Sequence, residues 1–167
     1  MICKRAEDRF IEGRKLLAGN KPRKALTLFR DAIEIERQGQ NGGDVANPRY
    51  HSYYGLCLCL CRTDLRQALD QCRLAAKQDG LRPDIWWNLG RVALSGNRRG
   101  EAYRALTAGL RIQPGHEGML GDLKVLGLRR PPVVAFLSRQ SRLNVMLGKW
   151  RDRLGQPVLQ NSPLVRS

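Results

Sequence analysis

Three cysteines alternate with leucines in the run "YYGLCLCLCR" from Tyr53 to Arg62, and a fourth follows at Cys72. With His51 close by, these are residue types from which metal and redox sites are made. On an α-helix, Cys57 and Cys61 would share a face about 40° apart, with Cys59 nearly opposite and His51 about 120° from Cys57. One ion does not draw three ligands from a helix in that arrangement. Structural zinc sites set cysteines roughly two to four residues apart across a turn and add a matching second pair. No second pair exists here. Cysteine otherwise behaves as a small, deeply buried hydrophobe. The run therefore reads as a core helix. A metal or redox role for Cys57, Cys61 and Cys72, or a thiol on a groove, stands as the alternative. Other chemistry is supplied no better. "GLRRPP" and "SGNRRG" lack the lysine and spacing of a phosphate loop. His51 and His116 have no cysteine or serine partner in sequence. Glu34 with Glu36, and Asp79 with Asp84, read as solvated charges at helix ends. No catalytic residue, metal ligand or cofactor is assigned, and the chain reads as non-enzymatic.

The elements that carry these residues belong to a basic chain of one domain plus an appendage. It has 167 residues, 42% of them hydrophobic. No apolar run approaches the ~20 residues of a membrane span. The opening "MICKRAEDRF" has charges of both signs and no apolar block of signal-peptide length. Five cysteines, odd in number and unevenly placed, do not resemble a disulfide framework. A reducing cytoplasm is the expected compartment. The net charge is +15, from 30 basic and 15 acidic residues. Such a surface attracts acidic proteins, nucleic acid and anionic lipid. The positive excess is densest in residues 117–167, with 9 basic and 3 acidic residues.

Hydrophobic periodicity near 3.6 and turn signals predict an all-α chain. Helices are expected over 5–18, 23–38, 49–61, 65–79, 84–95, 99–112 and 117–127. "GNKP", "DGLRPD" and "SGNRRG" read as turns, and residues 39–48 as a loop. Prolines at 22 and 83 suit first helical turns.

Paired helices recurring at about 34 residues are the mark of a helical hairpin array. The stretch "PDIWWNLGRVALSGNRRGEAYRALTAGLRIQP" resembles a tetratricopeptide repeat (TPR). Trp86, Leu89, Gly90 and Ala93 match its first helix, Ala102, Leu106 and Gly109 its second, and Pro114 its closing proline. A weaker copy keeps Gly13, Ala25, Phe29 and Ala32 but has Arg9 where a large apolar residue is expected. A middle copy keeps Gly55, Ala68, Cys72 and Ala75, with one residue of slippage between Gly55 and Ala68. The resemblance implies a TPR-like right-handed superhelix over 1–128, with repeats at about 6–39, 48–82 and 83–116 and a capping helix at 117–127. It implies a scaffold or adaptor that binds other proteins in a concave groove. Some members of the family hold the acidic carboxyl-terminal peptide of chaperones with lysine, arginine and asparagine. The matching positions here are Phe10, Arg14, Tyr54, Asp84 and Asn88. Only Arg14 and Asn88 suit that use, so such a clamp is not expected.

The expected partner is a protein with an acidic or extended segment, met in a basic groove by Arg14, Tyr50, Tyr54, Trp87, Asn88 and Arg91. Arginine and aromatic residues are the types that interfaces favour. Partial core burial of Trp87 beside Trp86 is the competing reading. Residues 129–155 form a basic amphipathic extension and 156–167 a disordered tail. Leu143, Met146, Leu147, Trp150 and Leu154 make one stripe, with Arg142, Lys149, Arg151 and Arg153 as its charge. Arg142, Met146, Lys149, Trp150 and Arg153 are the candidate contacts of this tail. Three roles suit it: a solubilising cap on the last repeat, an anionic-membrane anchor at the inner face of the membrane, and docking to a partner or second copy. Nucleic-acid binding through excess arginine is the rival main function, although no nucleic-acid motif is present.

Overall fold

The computed structural model describes residues 2–39 and 46–126. These residues form seven helices: α1 (Ile2–Ala18), α2 (Pro22–Gly39), α3 (Pro48–Leu60), α4 (Leu65–Gln78), α5 (Pro83–Ser95), α6 (Arg99–Ile112) and α7 (Glu117–Val125). No strand occurs among them. The expected boundaries are met closely, except that α1 starts three residues earlier. The extension at 129–155 and the tail at 156–167, with Arg142, Met146, Lys149, Trp150 and Arg153, lie outside the described residues.

Local chemistry accounts for three of the helix starts. Pro48 opens α3, and the Asn47 side chain accepts from the Arg49 N–H at 3.1 Å. Asp64 caps α4 by accepting from the Gln67 N–H at 2.9 Å. His116 Nδ1 accepts from the Met119 N–H at 3.2 Å and starts α7. Each satisfies an amide that the helix itself leaves unpaired. The turns inside the three hairpins share one device. Asn20, Arg62 and Asn97 all take left-handed backbone, with φ of 56°, 55° and 54°. Asparagine tolerates this conformation and arginine does not favour it.

Antiparallel helices pair as α1–α2, α3–α4 and α5–α6, and a glycine closes each pair at equivalent register. A Cβ on Gly13 would lie 2.7 Å from Phe29 Cε1, and one on Gly90 2.6 Å from Leu106 Cδ2. At Gly55 it would lie 2.7 Å from both the Ala68 carbonyl oxygen and Cys72 Sγ. The opposing alanines, Ala25, Ala68 and Ala102, are fully buried. Small residues on both helices let the backbones approach.

Successive hairpins stack with their first helices inside. α3 packs on α5 and α5 on α7, whereas α2, α4 and α6 are not in comparable contact with one another. On that side Phe10 of α1 also meets Tyr50 and Tyr53 of α3, so α1, α3, α5 and α7 form the layer that lines the concave face. Phe10, Phe29, Tyr50 and Cys57 form one core cluster, and Leu69, Ile85, Leu106 and Met119 belong to another. Arg73 on α4 grips Glu101 on α6 with two hydrogen bonds, at 2.7 and 2.8 Å, and ties the second hairpin to the third.

The hairpin turns lie at one end of the layers together with the end of α7. Arg99, in the first turn of α6, donates to the Leu126 carbonyl just past α7. Exposed cations crowd that end: Lys21, Arg23 and Lys24 at the first turn, Arg62 and Arg66 at the second, Arg98 and Arg99 at the third, and Lys124 on α7.

Candidate functional site

The cysteine run is α3, and its thiols pack as hydrophobes. Cys57 and Cys72 are fully buried, and Cys59 and Cys61 half-buried. Cys72 Sγ donates weakly to the Ser52 carbonyl at 3.5 Å. Burial pushes the Cys57 thiol up to about 12 and raises that of Cys72 as well. Among the described residues, no three histidines, cysteines or acids are grouped so as to hold a metal ion.

The concave face carries three clusters, each an aromatic ring with an arginine over it and a carboxylate close by. In the first, Phe10 meets Tyr50 at 5.0 Å and Tyr53 edge-on at 5.3 Å. The Arg49 guanidinium lies 4.5 Å from the Phe10 centroid and 3.6 Å from Glu7. The Tyr50 hydroxyl donates to Glu7 at 2.8 Å. Burial and the Glu7 carboxylate together raise the Tyr50 phenol well above its ordinary value. In the second, Arg14 lies 5.7 Å over the Tyr53 ring. Burial, then the neighbouring Asp84 carboxylate, raises the Tyr53 phenol. In the third, the Trp87 indole N–H donates to Asp122 on α7 at 2.7 Å. His116 meets the ring edge-on at 4.7 Å and Arg91 lies 5.3 Å over it. α7 closes against this ring so tightly that a Cβ on Gly118 would fall 2.4 Å from it.

The expected groove residues divide accordingly. Arg14 is exposed and Arg91 half-buried, while Trp87, also half-buried, packs partly against the core as its competing reading has it. Tyr50 and Asn88 do not reach the concave surface, and the expectation is corrected there. Each is only 2% exposed. Tyr50 is held by Glu7, and Asn88 donates to Ser52 Oγ at 3.0 Å inside the stack. Tyr54 is half-buried in the seam between the two core clusters, and its neighbour Tyr53 stands under Arg14 instead. Sequence reasoning missed Glu7, Arg49, Tyr53 and Asp122. One signal was present: Glu7, Arg49 and Asp84 each stand six residues before a close-packing glycine, at Gly13, Gly55 and Gly90. That shared register places all three charges on the same face of successive helices.

Each of the three arginines thus has a carboxylate near its ring: Glu7 beside Arg49, Asp84 near Arg14 and Asp122 near Arg91. Arg14 and Arg91 each stand over a ring that holds the planar charge in place and leaves its hydrogen-bonding capacity outward, whereas Arg49 is turned to Glu7 over the buried Phe10. Exposed charge beside half-buried rings, at Arg14 with Tyr53 and at Arg91 with Trp87, can hold a chain by stacking and by charge.

No protein-family model matches the chain, and no curated protein matches it. Solved structures do. The TPR domain of Arabidopsis OM64 superposes with a TM-score of 0.61 at 22% identity, over 76% of this chain and 98% of that one. The first TPR of Spaghetti (RPAP3), bound to an HSP90 peptide, gives 0.60 at 14% identity, over 74% and 91%. The second TPR domain of human RPAP3, in complex with an HSP70 peptide, gives 0.58 at 18%, over 76% and 96%. The fold is therefore that of a TPR array: an all-helical stack of hairpins, as the Trp86–Pro114 resemblance implies.

Proposed function

We propose that this chain is a non-enzymatic scaffold that holds an extended segment of a partner protein along its concave face. The observation that carries the proposal is the row of ring-stacked arginines on the inner helices. The two RPAP3 domains, similar in fold, were solved with bound peptides. Their bound chaperone peptides do not transfer with the fold, because Phe10 and Asn88 are buried and Asp84 is an acid. Acidic side chains of the partner would be met by Arg14 and Arg91, the two ring-stacked arginines for which no ion pair is found among the described residues. Asp84 and Asp122 would turn away a segment that is acidic throughout. The segment we propose is therefore mixed in charge, with acids spaced to meet Arg14 and Arg91. The burial of Cys57 and Cys72 as free thiols suits work in a reducing cytoplasm. No described helix is long and apolar enough to cross a membrane.

Affinity purification of the full chain at physiological salt, with nuclease, tests this reading. A stoichiometric protein that is lost on Arg14→Ala with Arg91→Ala, while the fold is kept, is the expected result. A partner retained by that double variant would remove the groove from the account.

A further inference from the structure

Eight exposed cations outside the groove gather at the hairpin-turn end of the array, and helix stability does not explain them. Arg23 and Lys24 stand in the first turn of α2, Arg66 in that of α4 and Arg99 in that of α6. A helix N-terminus is the positive end of the dipole, so these charges oppose it. At the other end, Arg37, Lys77 and Arg111 sit in the last turns of the same helices, where the dipole favours them. The acids of the turn end are already engaged. Asp64 caps α4, Glu101 holds Arg73 and Asp122 holds Trp87.

Apolar side chains stand among these cations. Leu60 is 42% exposed, Leu65 39% and Val125 79%. Leu65 lines two clefts, one shared with Arg66, Arg98 and the Arg73–Asp70 pair, the other with Cys59, Arg62 and Ser95. The residues of these turns include no aromatic ring on which a base could stack. Exposed leucine and valine at the same end as these cations match a different anionic partner, the headgroup layer of a bilayer, where each basic residue near the surface adds attraction and short apolar side chains enter the interface.

We propose that the hairpin-turn end seats on an anionic membrane surface, with Leu60, Leu65 and Val125 in the interface and the surrounding cations on lipid phosphates. The contact leaves the concave face open and does not depend on the groove reading.

Flotation of the full chain with vesicles tests it, using phosphatidylcholine alone and phosphatidylcholine with about a third phosphatidylglycerol. The protein should float only with the anionic vesicles. Lys24→Gln with Arg66→Gln and Lys124→Gln should weaken that binding about a hundredfold. Arg37→Gln with Lys77→Gln and Arg111→Gln removes the same charge from the other end and should change it less than about twofold. Leu60→Ser with Val125→Ser should weaken vesicle binding and leave any binding to poly(U) RNA unchanged. Equal effects of the two triple variants would mean that net charge alone acts, and would overturn the proposal. So would binding to poly(U) without binding to vesicles, or indifference to the Leu60 and Val125 changes.

Discussion

The second and third hairpins have the same architecture but are closed by different atoms. In the third, Gly90 is covered by the Leu106 side chain, and the fold announces itself in large and small residues at fixed spacing. In the second, Gly55 is covered by the Ala68 carbonyl oxygen and the Cys72 sulfur, so backbone meets backbone. A side chain can rotate away from an intruding atom, whereas a helix backbone moves only as a whole. The hairpin that looks degenerate in sequence is therefore the less forgiving one. Its cysteines are the small apolar atoms that such close packing admits.

That contrast breaks most visibly if the cysteines of the second hairpin prove accessible. Cys57 and Cys72 should react with a thiol reagent at neutral pH about a thousandfold more slowly than Cys59, because exchange requires opening of the core and their raised pKa keeps them protonated. Mass mapping after a short pulse of labelling checks this, and comparable labelling at Cys57 and Cys59 would contradict the packing. Next in size, Gly55→Ala should cost about 3 kcal/mol and Gly90→Ala about 1 kcal/mol, since overpacking against backbone relaxes least. Urea unfolding of the two variants decides it, and equal losses would erase the distinction.

The tie between the hairpins is worth less. Arg73 holds the Glu101 carboxylate below its ordinary value of 4.5. A lowered folded pKa means that this stabilisation is present above pH 4.5 and is lost as pH falls through the folded value. Glu101→Gln should cost about 1 kcal/mol at pH 7 and flatten the stability profile below pH 4.5. An unchanged acid limb would show that the pair does not act. Smallest is the turn. Arg62→Asn should raise thermal stability by about 0.5–1 kcal/mol by relieving left-handed strain, and Asn97→Arg should lower it by a similar amount. If Arg62→Asn brings no gain, the second turn is as well adapted as the third.

The fold was legible because helix period, turn residues and the glycine–alanine spacing all point the same way. Even the slippage in the middle copy is real: one extra residue lies in the turn between Leu60 and Leu65, with Asp64 as the new cap. The groove was less legible. One residue on a helix is about 100°, and that difference turns Tyr54 toward the core and Tyr53 toward Arg14. Tyr50 and Asn88 have the residue types of a binding surface, but Glu7 and Ser52 hold them inside, and neither partner is adjacent in sequence. The Trp87–Asp122 contact joins α5 to α7 across 35 residues, and no local pattern announces it.

The most direct test of the groove is nitrogen–proton correlation NMR of the full chain as the purified partner segment is added. The expected result is perturbation at the Trp87 indole N–H and at the amides of Arg14, Tyr53 and Arg91, with α2, α4 and α6 quiet. Perturbation confined to the outer helices or the hairpin turns, with the Trp87 indole unmoved, would contradict the concave face as the binding site.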